Sequence, residues 1–71
     1  VEAGELETAI RCFLSARPER ERDVFLRRYF FFDTTEEIAH RFRMRESNVL
    51  NILSRTRKKL KNYLKEEGFY L

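Results

Sequence analysis

Hydrophobic positions recur at helical spacing along almost the whole of this chain. Leu6, Ala9, Ile10, Phe13 and Leu14 fall at i, i+3, i+4, i+7 and i+8, a single apolar stripe that predicts a helix over residues 5–16. A second helix is predicted over residues 18–30. Pro18 suits its first position, where the missing N–H would be unpaired in any case. Glu19 and Glu21 then sit at the positive end of the helix dipole. Val24, Phe25, Leu26, Tyr29 and Phe30 cover more than half of the helix circumference, which predicts the central, most enclosed helix of the fold. At least two of Phe30, Phe31 and Phe32 are expected in the core, with an exposed interaction patch as the alternative.

The third helix is announced by its start. Thr34 followed three residues later by Glu37 is a capping box. The predicted helix, residues 35–42, carries Ile38, Ala39 and Phe42 and is short, because the next apolar residues fall out of phase. The fourth spans residues 46–66, with Val49, Ile52, Leu53, Thr56, Leu60, Tyr63 and Leu64 as its inward stripe. Gly68 ends it, as a glycine in the left-handed region commonly does. Phe69, Tyr70 and Leu71 either fold back onto the core or simply end the chain. Two Gly, one Pro and no strand-like alternation complete an all-α reading: a four-helix domain with a C-terminal helix-turn-helix and an extended last helix.

Length and composition narrow the picture. A chain of 71 residues is one domain at most, and short enough to be marginally stable. Cys12 is the only cysteine, so no disulfide within the chain supports the fold. Its apolar surroundings (Ile10, Phe13, Leu14) make it a small packing residue in this reading, and a lone thiol fits a reducing, cytoplasmic compartment. The longest apolar run, Tyr29 to Phe32, is far short of the roughly 20 residues of a membrane span. There is no signal-peptide pattern, and no membrane partner is expected. The chain opens on Val1 rather than Met, so it is expected to be a part excised from a longer protein.

Charge carries the first functional hint. The net charge is +3, but it is unevenly spread. Residues 1–37 hold nine acids against six arginines, whereas residues 38–65 hold nine bases against Glu46 alone. A domain divided in this way presents a positive face, and a polyanion is its natural partner.

Residues 35–54 sharpen that hint. A short helix, a turn of about three residues and a longer helix make a helix-turn-helix. The close crossing of the two helices needs a small residue, supplied by Ala39. Ile38, Phe42, Met44, Val49 and Ile52 supply the apolar contacts between them. The second helix of such a motif enters the major groove with its N-terminal residues near base edges. Here those residues are Ser47, Asn48, Leu50 and Asn51. Asn can pair bidentately with adenine, Ser with several bases, and Leu can touch a thymine methyl. Asn48 and Asn51 are equally compatible with plain surface positions. Beyond them Arg55, Arg57, Lys58, Lys59 and Lys61 suit phosphates, which fix position rather than sequence. A basic run is by itself often only a solvated helix face; its place directly after a helix-turn-helix favours nucleic acid. His40 has no cysteine or second histidine at ligand spacing, so no metal site and no cofactor are expected. An enzyme is not expected either, since no nucleophile–base pair or phosphate-binding loop is present.

These residues resemble a known family. The run Pro18 to Phe30, the segment Thr35-Glu36-Glu37-Ile38-Ala39, then Ser47-Asn48-Val49 and Arg55-Thr56-Arg57-Lys58-Lys59-Leu60, are similar to region four of bacterial RNA polymerase sigma factors, in particular the small extracytoplasmic-function kind. The likeness covers about residues 5–65. It implies binding of double-stranded promoter DNA at the −35 element through the last helix, docking on the flap of the polymerase β subunit, and an anti-sigma factor as a further partner. It also implies that base readers fall on Glu46, Ser47, Leu50 and Asn51, and that promoter melting and the main polymerase contact belong to regions N-terminal to this chain. Two positions depart from the family. Arg43 stands where glycine is usual in the turn, and Arg45 where serine or threonine usually caps the recognition helix. A left-handed backbone costs a non-glycine residue roughly 1 kcal/mol, and arginine cannot accept the helix's free N–H groups. Both arginines add positive charge beside the groove-entering end, so they join the expected DNA-binding set. Two alternatives share much of this pattern: a dimeric helix-turn-helix regulator or response-regulator output domain, and a protein-interaction module using the aromatic and basic faces.

Overall fold

The computed structural model of the chain describes residues 3–69, so Tyr70 and Leu71 lie outside the described residues. Four helices make up the fold: α1 (Ala3–Ser15), α2 (Glu19–Tyr29), α3 (Thr35–Phe42) and α4 (Glu46–Glu66). No strand occurs among the described residues. α1 starts two residues before the apolar stripe predicts, and α2 is one residue shorter at each end.

Local chemistry sets the helix ends. At α3 the Thr34 hydroxyl accepts from the Glu37 N–H at 3.0 Å, while the Thr34 N–H donates to the Glu37 carboxylate at 2.8 Å. The last turn of α4 closes on Gly68, whose φ is 92°. The Gly68 N–H donates to the Lys65 carbonyl and the Phe69 N–H reaches back to Leu64, the paired bonds of a Schellman closure. Phe69 is thereby folded back to a half-buried position.

α4, not α2, is the hub. It packs against each of the other three helices. Its 21 residues extend over about 31 Å at 1.5 Å per residue, most of the 37 Å long axis of the molecule. One buried cluster joins Phe13 and Leu14 of α1, Val24 and Phe25 of α2, Ile38 and Ala39 of α3, and Val49 and Leu53 of α4. α2 gives this cluster only Val24 and Phe25; Leu26 is half-buried and Tyr29 is exposed. The wide apolar arc of α2 is therefore not enclosed as expected: from Leu26 onward its apolar residues are only half-buried or exposed.

The three phenylalanines that follow α2 correct another expectation. Phe30, Phe31 and Phe32 are all exposed, at 58%, 59% and 81%. The Phe31 N–H bonds back to the Leu26 carbonyl, which ends the helix, and Phe32 takes a left-handed conformation with φ 59°. That reversal leads the chain to Asp33, whose carboxylate accepts from Arg27 Nε at 2.7 Å. Cys12 is also exposed rather than packed. It sits on α1 about 100° behind Phe13, off the inward stripe.

A buried polar contact joins α2 to α4. Thr56 is fully buried, and its hydroxyl donates to Glu21 Oε1 at 3.2 Å. Lys59 Nζ approaches the same oxygen at 3.5 Å. A buried hydroxyl with a charged acceptor is satisfied, so the inward stripe of α4 tolerates a threonine at its centre.

Candidate nucleic-acid interface

The helix-turn-helix is closed by its turn. Arg43 is left-handed, with φ 54° and ψ 51°. The Met44 N–H donates to the Ala39 carbonyl at 2.8 Å, which satisfies the end of α3. Arginine at this position accepts a strain that glycine would not carry. Two residues later Arg45 occupies the N-cap of α4 in an extended conformation, and its side chain makes no capping bond. Ile38, Ala39 and Val49 are buried between the two helices, while Phe42, Met44 and Ile52 pack half-buried around them.

This arrangement turns one face of α4 outward. Ser47, Asn51, Ser54 and Lys58 are all exposed and follow one another at +4, +7 and +11, a single stripe at 100° per residue. Lys61 and Lys65 continue it and are exposed too. Leu50, 51% exposed, flanks the stripe on one side; Asn48 and Arg55, both exposed, flank it on the other. Ser54 and Lys65 were not among the expected site residues. Their +7 and +18 spacing from Ser47 was the available signal.

The remaining expected residues divide into two groups. Arg43 and Arg45 stand exposed beside the start of α4. Arg57 and Lys59 instead turn toward α2: Arg57 Nη1 donates to the Tyr29 hydroxyl at 2.7 Å, and Lys59 faces Glu21. Arg55 Nε leans on the Asn51 carbonyl at 3.4 Å, a long bond that leaves its guanidinium head outward. Glu46, exposed at the first position of α4, is held by Thr35, whose hydroxyl donates to Glu46 Oε2 at 2.6 Å. His40 is exposed, and no group of His, Cys, Asp and Glu among the described residues is placed to hold a metal ion.

The stripe changes character along its length. A major groove is about 12 Å wide and 8.5 Å deep, enough to admit an α-helix. Ser47, Leu50 and Asn51 lie within the first two turns of α4, whereas Lys58 lies about 10–16 Å further along it. Polar and small apolar groups therefore stand at the start of the stripe, and cations in its far part.

A second surface lies apart from this one. Leu6, Ile10 and Leu14 of α1, with Leu26 and Phe30, line an apolar groove of about 490 Å³ beside Glu7 and Arg11. Phe31 lies close by in sequence with the Arg27 guanidinium 4.3 Å above its ring. No residue of α3 or α4 lines the groove. Among the described residues no helix is long and apolar enough to cross a membrane.

Comparison with known families gives one match. The family described as "Sigma-70, region 4" covers residues 7–60. No curated protein and no solved structure matches the chain.

Proposed function

The chain belongs to the sigma-70 region 4 family, whose members bind promoter −35 DNA and RNA polymerase in transcription initiation, and we propose that it is the promoter-reading domain of a small sigma factor of the extracytoplasmic-function kind. The proposed role as part of a sigma factor is non-catalytic and places the domain in the cytoplasm with the polymerase. The observation that carries the proposal is the outward stripe of α4, with Ser47, Leu50 and Asn51 at its start and Lys58 and Lys61 beyond. Glu46, Ser47, Asn48, Leu50 and Asn51 face base edges. Arg43, Arg45, Arg55 and Lys58 contact phosphates, with Arg57 and Lys59 on the flanks toward α2. The family match argues against the response-regulator alternative.

Base reading is tested by selection on randomised duplexes. Asn51→Ala is expected to relax preference at one or two adjacent positions, at a cost of about 1–3 kcal/mol against the best site. An identical motif for parent and variant would remove Asn51 from the readers.

Phosphate contacts have a different signature. Arg55→Ala and Lys58→Ala are each expected to weaken binding to every sequence alike. Each should flatten the slope of log K against log salt by about 1. Arg57→Ala should flatten it less, since its guanidinium is turned to Tyr29. Slopes unchanged in both the Arg55 and Lys58 variants would end their assignment to phosphates.

The exposed aromatics support the second partner. Isolated exposed Phe side chains are unremarkable, but three in succession beside an apolar groove form a patch of the kind that binds protein. This patch is assigned to the flap of the polymerase β subunit, with an anti-sigma factor as a competitor for it. The double variant Phe31→Ala, Phe32→Ala is expected to lose capture by an isolated flap fragment while its DNA affinity stays unchanged. Retained capture would move the docking surface elsewhere.

A further inference from the structure

Glu46 is the first residue of α4 and Thr35 the first of α3, so their 2.6 Å hydrogen bond ties the two helix starts of the helix-turn-helix together. An O–H···O⁻ contact of this length is charge-assisted. The choice of partner is informative. Arg43 and Arg45 stand within three residues of Glu46, yet neither forms an ion pair with it among the described residues. The first N–H groups of α4 also lack a cap, because Arg45 provides none. A carboxylate at the head of that helix thus has cations and free N–H donors within reach. Thr35 holds it away from them. Only Oε2 is engaged; Oε1 has no hydrogen-bond partner among the described residues.

We propose that Thr35 is a positioning residue for base readout, which fixes the Glu46 carboxylate so that Oε1 accepts from the exocyclic amine of a cytosine in the major groove. The inference rests on the reading of α4 as the promoter-reading helix and adds a base identity to it. A carboxylate offers acceptors only. Cytosine is the base whose major-groove edge presents a donor without a neighbouring acceptor; adenine sets N7 beside its amine, and guanine and thymine present acceptors. A freely rotating Glu46 would spend part of its time on the N–H groups of α4 or on the arginines. The Thr35 bond removes those alternatives before DNA arrives. Thr35 itself touches no DNA.

The experiment is selection on randomised duplexes with the whole chain, alongside salt-dependent binding and thermal unfolding without DNA. The parent motif is expected to hold a cytosine at one position. Thr35→Val keeps the side-chain shape without the donor, and should weaken that single preference about three- to tenfold. The other positions and the salt slope should not move. Thr35→Ser should restore the preference, and Thr35→Ala repeats the test should the valine variant fail to fold. In a Glu46→Ala background, Thr35→Val should change nothing further in the motif. A motif identical in parent and Thr35→Val overturns the inference. So does a uniform loss at all sequences with a flatter slope, which would make Thr35 a phosphate contact. A parent that selects no motif overturns this inference together with the DNA-reading function. A parent motif that is sensitive to Asn51→Ala but not to Thr35→Val overturns this inference alone.

Discussion

Leu53→Ala is expected to lower the melting temperature sharply, whereas Leu50→Ala, three residues away on the same helix, should leave it almost unchanged. Leu53 is 2% exposed in the shared core of all four helices, and Leu50 is 51% exposed. Truncating a buried leucine costs about 2–5 kcal/mol, through lost apolar burial and the cavity left behind. A domain of this length is stable by only about 4–10 kcal/mol in total, so the loss is a large share. The leucine at position 50 has little burial to lose, and surface changes usually stay within about 0.5 kcal/mol. Its loss should instead appear in DNA selection, as a weakened thymine preference. Thermal unfolding followed by circular dichroism checks the first half of the expectation. If the two variants melt alike, the rotation of α4 about its axis is different from that described.

The second large effect concerns the turn. Arg43→Gly combined with Arg45→Ser is expected to stabilise the chain by about 1–2 kcal/mol, a rise of several degrees in melting temperature. The first change removes a left-handed arginine at φ 54°, although glycine's freedom in the unfolded chain returns part of the gain. The second puts a hydroxyl at an N-cap that now makes no side-chain bond. Both changes delete a cation beside the start of α4, so under the proposed function DNA affinity should fall and the salt slope should flatten. Stability and binding are expected to move in opposite directions. Unfolding and salt-dependent binding of the same double variant measure both. A double variant less stable than its parent would contradict the strain and the missing cap.

Both turn features were legible through the family resemblance, which puts glycine and a hydroxyl where this chain has Arg43 and Arg45 and so exposes the backbone need that each arginine fails to meet. Thr34 and Glu37 were legible without it, because their reciprocal bonds are a local device with a local signature. The inward stripe of α4 could be read because 3.6-residue periodicity persists through so many turns. Phe30, Phe31 and Phe32 could not be placed in this way. Hydrophobicity alone assigns them inward, but α2 ends at Tyr29, and a left-handed phenylalanine has no residue signature. Cys12 is exposed for a simpler reason: its neighbours in sequence are apolar, but its phase on α1 places it off the inward stripe. Glu46 and Thr35 are 11 residues apart, so only folding brings them together. No spacing rule along the chain anticipates that contact, nor the turning of Arg57 and Lys59 toward α2.

The two sides of α4 have a consequence for how such domains diversify. Val49, Leu53, Thr56 and Leu64 hold the helix in the core, while Ser47, Leu50, Asn51 and Ser54 take no part in the buried cluster. Under the proposed function, substitutions in the second set change what is read at little cost to the fold, because none of its residues is buried. On that reading, drift along the outward side would change the DNA that is read at nearly constant stability, while changes on the inward side would cost stability.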